Sequence, residues 1–380
     1  MTSPMTDMEK YSKGVARSGI ARGQAYIFLV VWVVLLNTAL AAQGQQGVPP
    51  AHGFGTDPSR YYVPKKAIDT TEIPNIVLKA TDRANAPLPY FKIAKDTYFF
   101  FGNIAEVDQY NRGWNGNAGF VVTSDGVVVI DSLGTPKLGK RMIATIRSVT
   151  DKPIKYLIIT HNHPDHSYGA SAFRQLGGVK VIAHAGTLDY IRSEKIDDSV
   201  AFRRTFIKQD MIGFVGVAPD IPISGKRFSS YRLKTGDKTF IIYNTGQHHS
   251  FGDLVIHQVD QQVVWISDLA FNQRTTYMGD GSSRQAIEAQ DWLLARFGKA
   301  KLMIPGHGSA QTSPFPMVKR TQSYIKRLRA TMRRAVIDGL DLLSAVDRAD
   351  FADWRSTRLY KLNQRANANF VYREVELEEF

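Results

Sequence analysis

Tyr156-Leu157-Ile158-Ile159-Thr160-His161-Asn162-His163-Pro164-Asp165-His166 is the stretch on which the reading of this chain turns. Its first four residues have the apolar, β-branched character of a buried strand. Directly after them come three imidazoles and a carboxylate. These are the nitrogen and oxygen donors that zinc accepts, and a loop leaving a strand end can turn alternate side chains toward different points. His161 and His163 can then face one metal while Asp165 and His166 face another. A polar surface loop accounts for one such histidine but poorly for four donors this dense. Helical zinc motifs do not apply, because the histidines are two and three residues apart and Pro164 disfavours a helix.

Working outward, strand signals occur at residues 97–101, 120–123 and 127–130, the last two joined by Ser124-Asp125-Gly126, a hairpin turn signal. Leu138, Met142 and Ile146 stand four apart, which predicts a helix over 136–149. Beyond the histidine cluster the alternation continues: a short helix at 170–176 with a strand at 179–183, strands at 240–243, 254–256 and 263–266, a helix at 284–297 and a strand at 302–304. Interleaved strands and helices define an α/β class. Between about 190 and 233 the pattern weakens into a basic segment with Arg203, Arg204 and Lys208, which reads either as a lid or as an irregular surface excursion. A strongly basic helix is predicted from 317 to about 340, with Ile325, Leu328, Met332 and Ile337 as its apolar positions.

The 380 residues, 43% hydrophobic and 22% charged, are enough for one large domain or two small ones. The net charge of +13 is not confined to one tract and reads as a basic soluble protein, with no nucleic-acid partner expected. Near the start, the apolar run 25–36 follows Lys10, Lys13, Arg17 and Arg22 and precedes Ala39-Leu40-Ala41. That order predicts a signal peptide over 1–41, cleaved after Ala41 or Ala42, and a periplasmic or secreted protein. The run is short for a bilayer, so a membrane enters only if the leader stays uncleaved as an anchor. Removing 1–41 leaves 44 basic against 33 acidic residues, a charge of +11. With no cysteine there is no disulfide, thiolate ligand or cysteine nucleophile. Residues 42–87 read as an extended N-terminal arm, rich in Gln, Gly and Pro at its start.

The 161–166 element resembles the His-x-His-x-Asp-His hallmark of the metallo-β-lactamase superfamily. Later elements match in order. Thr245-Gly246-Gln247-His248-His249-Ser250-Phe251-Gly252-Asp253 is similar to the family's His-Ser/Thr-x-Gly-Asp element, which selects His249 as third ligand of the first zinc and leaves His248 as its neighbour. The strand at 263–266 followed by Ser267-Asp268 looks like the one ending in the metal-bridging aspartate of glyoxalase II-like members. Ile304-Pro305-Gly306-His307-Gly308 looks like the terminal Pro-Gly-His element, which makes His307 a ligand of the second zinc. Alone, Asp268 and His307 would be an ordinary strand-end carboxylate and an ordinary loop histidine. Gly116-Asn117-Ala118-Gly119-Phe120 and residues 127–131 look like the family's opening strands, so the resemblance spans about 88–312 and leaves 313–380 as a C-terminal helical extension. It implies a four-layer αββα sandwich of two mixed β-sheets. By the same resemblance Asp131 supports the metal loop from behind, with a structural turn residue as the alternative. Residues 351–360 and 363–379 look like the extension of periplasmic quinoprotein-relay zinc metallohydrolases, or simply form a capping helix and tail.

The resemblance implies two Zn2+ ions held by His161, His163, Asp165, His166, His249, Asp268 and His307. It further implies a metal-bridging hydroxide that cleaves a small carbonyl substrate (lactam, ester, lactone or thioester), with Asp165 orienting it and passing on its proton. The alternatives are a mononuclear iron redox enzyme of the same fold, such as a persulfide dioxygenase, a nuclease, or a non-catalytic zinc-binding partner of a periplasmic redox system. His184 reads as structural or as a substrate contact, and Tyr168 as a substrate contact or as packing at a helix start. His52 and His257 receive no role.

Overall fold

The computed structural model describes residues 74 and 76–380. The signal peptide read over 1–41, His52 and most of the arm lie outside the described residues.

The chain forms two sheets. In the first, β1 (Phe91–Ala94), β2 (Thr97–Phe100), β3 (Ala118–Val122) and β4 (Val127–Ile130) pair antiparallel in chain order, and β5 (Ile154–Ile158), β6 (Lys180–His184) and β7 (Ile221–Ile223) follow in parallel. In the second, β8 (Ser230–Thr235), β9 (Lys238–Gly246), β10 (Asp253–Gln258) and β11 (Val263–Ser267) are antiparallel neighbours, and β12 (Leu302–Pro305) adds parallel to β11. The hairpin between β3 and β4 closes as its turn residues require, with the Thr123 amide donating to the Gly126 carbonyl at 2.8 Å.

Strand periodicity sorts the side chains into layers. Val128, Ile130, Ile158 and Ile182 of the first sheet meet Phe240, Ile242, Leu254, Ile256, Trp265 and Ile304 of the second in one core between the sheets. The alternate residues Val127, Val129, Leu157 and Val181 point outward onto Leu138, Met142 and Ile146 of α1 (Pro136–Val149), together with Phe173 of a later helix. Thr135 caps α1 by accepting from the Leu138 amide, and Pro136 occupies its first turn, where a missing N–H costs nothing. On the far side, Val255, Val264, Ile266 and Met303 are covered by two other helices that contribute Leu293, Phe297, Met317 and Val318. The result is the αββα sandwich of two mixed sheets. Among the described residues no helix is long and apolar enough to cross a membrane.

The remaining helices, in chain order, are α2 (Pro164–Ser167), α3 (Ala170–Leu176), which supplies Phe173, α4 (Thr187–Arg192), α5 (Glu194–Ile207), α6 (Ser283–Phe297), α7 (Pro316–Ile337), α8 (Leu342–Arg348) and α9 (Tyr360–Glu379). α7, α8 and α9 share a core that includes Leu328, Met332, Ala345, Val346, Val371 and Val375.

Three expectations are corrected. Residues 190–233 are not irregular: they contain α5, β7 and the start of β8. The buried positions of α5 are Ile196, Val200, Arg203 and Ile207, a helical spacing disguised by an arginine on the inner face, and β8 lacks alternation because most of its residues are exposed. Pro164 does not exclude a helix; it begins one, at the position where proline fits best. Ile337, expected as an apolar position, is 61% exposed at the end of α7.

Trp265 crosses the inter-sheet core to lie on Gly119, where an added Cβ would overlap the indole and the Tyr98 carbonyl. Gly119→Ala should therefore lower unfolding free energy by about 1–3 kcal/mol, the usual cost of overpacking. Denaturant titration measures this, and an unchanged midpoint would contradict the packing described.

Candidate metal centre

The segments that follow β5, β9, β11 and β12 meet at one end of the two sheets, and all seven residues expected from the sequence come together there. His161, His163, His249 and Asp268 each offer a donor atom within 4.8 Å of the others, and Asp165, His166 and His307 form a second such group. Asp268 links the groups. Its Oδ2 lies 3.0 Å from His249 Nε2, 3.8 Å from His161 Nε2 and 3.4 Å from His307 Nε2, and its Oδ1 is 3.5 Å from His166 Nε2. Asp165 Oδ2 stands 3.3 Å from His307 Nε2.

The far side of each ring sets its tautomer. Asp131 is the hub: its carboxylate accepts from the Thr160 amide (2.8 Å), the Thr160 hydroxyl (2.9 Å) and His166 Nδ1 (2.9 Å). His161 Nδ1 faces the hydroxyls of Thr160 and Ser267, each at 3.1 Å, and these hydroxyls are 2.6 Å apart. With Thr160 donating to Asp131 and Ser267 donating to Thr160, His161 Nδ1 is left as a donor. His307 Nδ1 donates to the Asn115 carbonyl at 2.7 Å. In all three rings Nδ1 is committed to a partner on the far side, which leaves Nε2 as the atom that faces Asp268. His163 is reversed, since its Nε2 donates to Asp280 Oδ2 at 3.1 Å and Nδ1 is the nitrogen left for a cation.

Nε2 of His161 and His166 and Oδ1 of Asp268 are buried without a hydrogen-bond partner, and His249 Nε2 meets only Asp268 Oδ2. Orphans of this kind cost about 1–3 kcal/mol each, so three converging together fit a site built for a divalent cation. There is no room for bulk: a Cβ on Gly306 would overlap Asp268 Oδ1, and one on Gly116 would come 3.1 Å from His166 Nε2.

The charges explain why the cluster tolerates burial. Burial works against the charged form of His166, but Asp165, Asp268 and Asp131 outweigh it and push the imidazole up to about 10. Burial would likewise raise Asp165, yet His166 and His307 bring it down to about 2. Asp268 lies well below the usual carboxylate range, because His307, His166 and His249 overcome its burial. His161 is pushed well down by burial and by the charge of His166.

Residues that the sequence reading did not single out complete the site. The Asn115 amide donates to Asp165 Oδ2 at 3.0 Å, and Asp280 bridges His163 to Lys195. No local spacing ties Asp280 to His163, and only the order of elements after Asp268 could have pointed to it. Asp131 occupies the supporting position that the resemblance implied. Tyr168 packs: its ring is buried, its hydroxyl pairs with that of Tyr190 at 2.8 Å, and the Arg203 guanidinium lies 5.6 Å from its ring centre. His184 Nδ1 accepts from the Gly186 amide at 3.0 Å, His248 Nε2 is 3.1 Å from the Thr245 hydroxyl, and His257 packs on Phe297.

Fold and site together define an αββα protein whose strand ends gather two linked groups of metal-binding side chains. The family model of the metallo-beta-lactamase superfamily matches residues 111–307, just over half of the chain. The chain belongs to that superfamily. Metallo-beta-lactamase IND-1 of Chryseobacterium indologenes is 24% identical over 199 residues, covering 52% of this chain and 73% of that protein. A linear primary-alkylsulfatase of Pseudomonas sp. (strain ATCC 19151) is 32% identical over 72 residues, 18% of this chain and only 14% of the sulfatase. Among solved structures, the stereoselective inverting sec-alkylsulfatase Pisa1 from Pseudomonas sp. superposes with a TM-score of 0.59 at 18% identity, over 75% of this chain and 49% of that one. The chain thus spans about half of that sulfatase, and the likeness bears on fold. Membership supports metal-dependent hydrolysis in general.

Because His166 holds its proton up to about 10, a cation entering the Asp165–His166–His307 group must displace it. Cation affinity at this group should therefore climb as pH rises toward that value, and loading at about pH 8 should release about one proton per site. A pH-stat titration reads both; an affinity flat with pH and no acid released would contradict this balance of charges.

Proposed function

We propose that the chain is a periplasmic or secreted dizinc hydrolase that cleaves a small carbonyl substrate: a lactam, ester, lactone or thioester. The observation that carries the reading is Asp268, whose two oxygens lie within 3.0–3.8 Å of imidazole nitrogens from both donor groups. A carboxylate so placed has an oxygen in reach of each group and could be shared between two ions. The first ion would be held by His161, His163 and His249, the second by Asp165, His166 and His307, with Asp268 shared. When bound, such ions lower the pKa of water from about 15.7 toward ~7 and polarise a carbonyl oxygen.

The chain's own groups supply the rest. Asp165, ionised at neutral pH and fixed by the Asn115 amide, takes the proton of the water nucleophile and hands it to the leaving group. Asp131, Thr160 and Ser267 hold His161 and His166 in the tautomers that present Nε2. The sulfatase likeness adds sulfate esters to the bonds worth testing.

Metal analysis of purified protein should find zinc near two per chain, whereas one iron per chain would favour the redox alternative. The zinc-loaded protein should then turn over at least one member of a panel of β-lactams, lactones, esters, thioesters and sulfate esters. His163→Ala should abolish that turnover, and Asp165→Asn should lower kcat by about 10²–10⁴-fold. Turnover of RNA alone, or a biological effect untouched by Asp268→Ala, would overturn the reading in favour of a nuclease or a non-catalytic partner.

A further inference from the structure

α9 lies outside the stretch matched by the family model, yet one stripe of it grips the segment that backs the metal centre. Asn363, Asn367, Phe370 and Glu374 recur at steps of four, three and four, so they share a face. Asn363 Nδ2 donates to the Thr275 and Thr276 carbonyls, each at 3.2 Å. Asn367 donates to the Thr276 carbonyl at 2.8 Å and to the Tyr324 hydroxyl at 3.0 Å, and accepts from the Met278 amide at 3.0 Å. Phe370 meets the Tyr277 ring edge-on with centroids 6.2 Å apart. The Glu374 carboxylate accepts from the Ser282 hydroxyl (2.6 Å), the Ser283 amide (2.9 Å) and the Ser283 hydroxyl, and Arg329 of α7 lies 3.4 Å from it.

The other side of the same segment touches the donors. Asp280 reaches His163 Nε2 at 3.1 Å. A Cβ on Gly281 would overlap the backbone of His248 and His249, and the Ser282 amide donates to the Gln247 carbonyl at 3.0 Å. Residues 275–282 form neither strand nor helix, so no ladder of their own fixes them. They are held by α9 on one face and the His249 loop on the other, with Lys195 of α5 on Asp280 and the Arg358 carbonyl accepting from the Thr275 amide at 2.9 Å.

We propose that α9 is a positioning element of the metal centre: through Asn367 and Glu374 it presses the 275–282 segment onto the His249 loop and aims Asp280 at His163, and so sets cation affinity. This rests on the dizinc reading above. Carboxylates that orient a metal-binding imidazole are worth about 10–100-fold in affinity, and Asp280 is such a carboxylate held in place from outside. Asp280, Asn367 and Glu374 are positioning residues; none is placed to touch substrate.

Zinc affinity of the full chain, measured by competition with a chromophoric chelator, tests this together with the visible spectrum of the cobalt-substituted protein. Asn367→Ala and Glu374→Ala should each weaken zinc binding by about tenfold and shift the cobalt spectrum, while Glu374→Gln, which keeps an acceptor oxygen, recovers most of the loss. Val371→Ala is the comparison for simple loss of packing, because Val371 sits in the apolar core shared with α7 and α8; it should lower thermal stability and leave zinc affinity unchanged. In an Asp280→Asn background, Glu374→Ala should add little. Wild-type affinity in Asn367→Ala and Glu374→Ala, an equal loss in Val371→Ala, or full additivity with Asp280→Asn would each overturn the proposal. Failure of the dizinc reading appears separately, as wild-type protein that does not take up zinc, and it would remove the proposal's basis.

Discussion

Asp131, Asp165 and Asp268 are all at most 8% exposed, and they stand within a few ångströms of imidazoles that are buried as deeply. Taking a carboxylate out of water costs several kcal/mol even after the surroundings relax, so such a cluster persists only if its charges cancel within it. The proton that His166 holds supplies part of this cancellation, with His166 pushed up while Asp165 and Asp268 are pushed down. A divalent cation supplies the same neutralisation in more concentrated form and fills the orphaned Nε2 atoms at once. Each remaining feature of the architecture serves to stop this costly arrangement from relaxing into something more stable.

The sheets supply that resistance. Each donor segment follows a strand end, so hydrogen-bonded ladders fix where its backbone emerges. The two sheets are then stitched together at that end by the backbone itself: the Leu254 amide donates to the Thr160 carbonyl at 2.8 Å, and the Asn117 amide to the Gly306 carbonyl at 2.7 Å. Asn117 strengthens the second stitch through its side chain, which donates to the Pro305 and Gly308 carbonyls, both at 2.8 Å. Opening the cluster would require these bonds and the packing of Trp265 on Gly119 to give way together. Such coupling makes local rearrangement unfavourable.

What the sequence disclosed follows the range over which its signals act. The 161–166 cluster was legible because its donors are adjacent, and the α/β class because short apolar strands such as β4 and β11 interleave with helices, whereas the four-layer sandwich came from the family resemblance. His249, Asp268 and His307 were reachable only through the order of family motifs, since each alone looks like an ordinary loop or strand-end residue. Asn115 and Asp280 were missed: their partners are 50 and 117 positions away, and no periodicity connects them. α5 escaped because Arg203 stands on its inner face, where the guanidinium is accommodated over the Tyr168 ring rather than by an apolar neighbour. The polar stripe of α9 escaped for a related reason, as two asparagines and a glutamate on a helix read as a solvated face until the segment they hold is seen.

That stripe alters how the C-terminal helices are to be understood. Their apolar side shares a core with Met278 and Ala286, so they are continuous with the segment behind the metal centre rather than a separate lobe. Their polar side satisfies backbone groups at Thr275, Thr276, Met278 and Ser283 that would otherwise be left unpaired beside buried histidines. Linkage then works in both directions. Whatever free energy α9 contributes to holding Asp280 on His163, and through it to cation affinity, a bound cation must return to the docking of α9. The metal centre and the last helix of the chain would in that case stabilise one another, although only one of them carries donors.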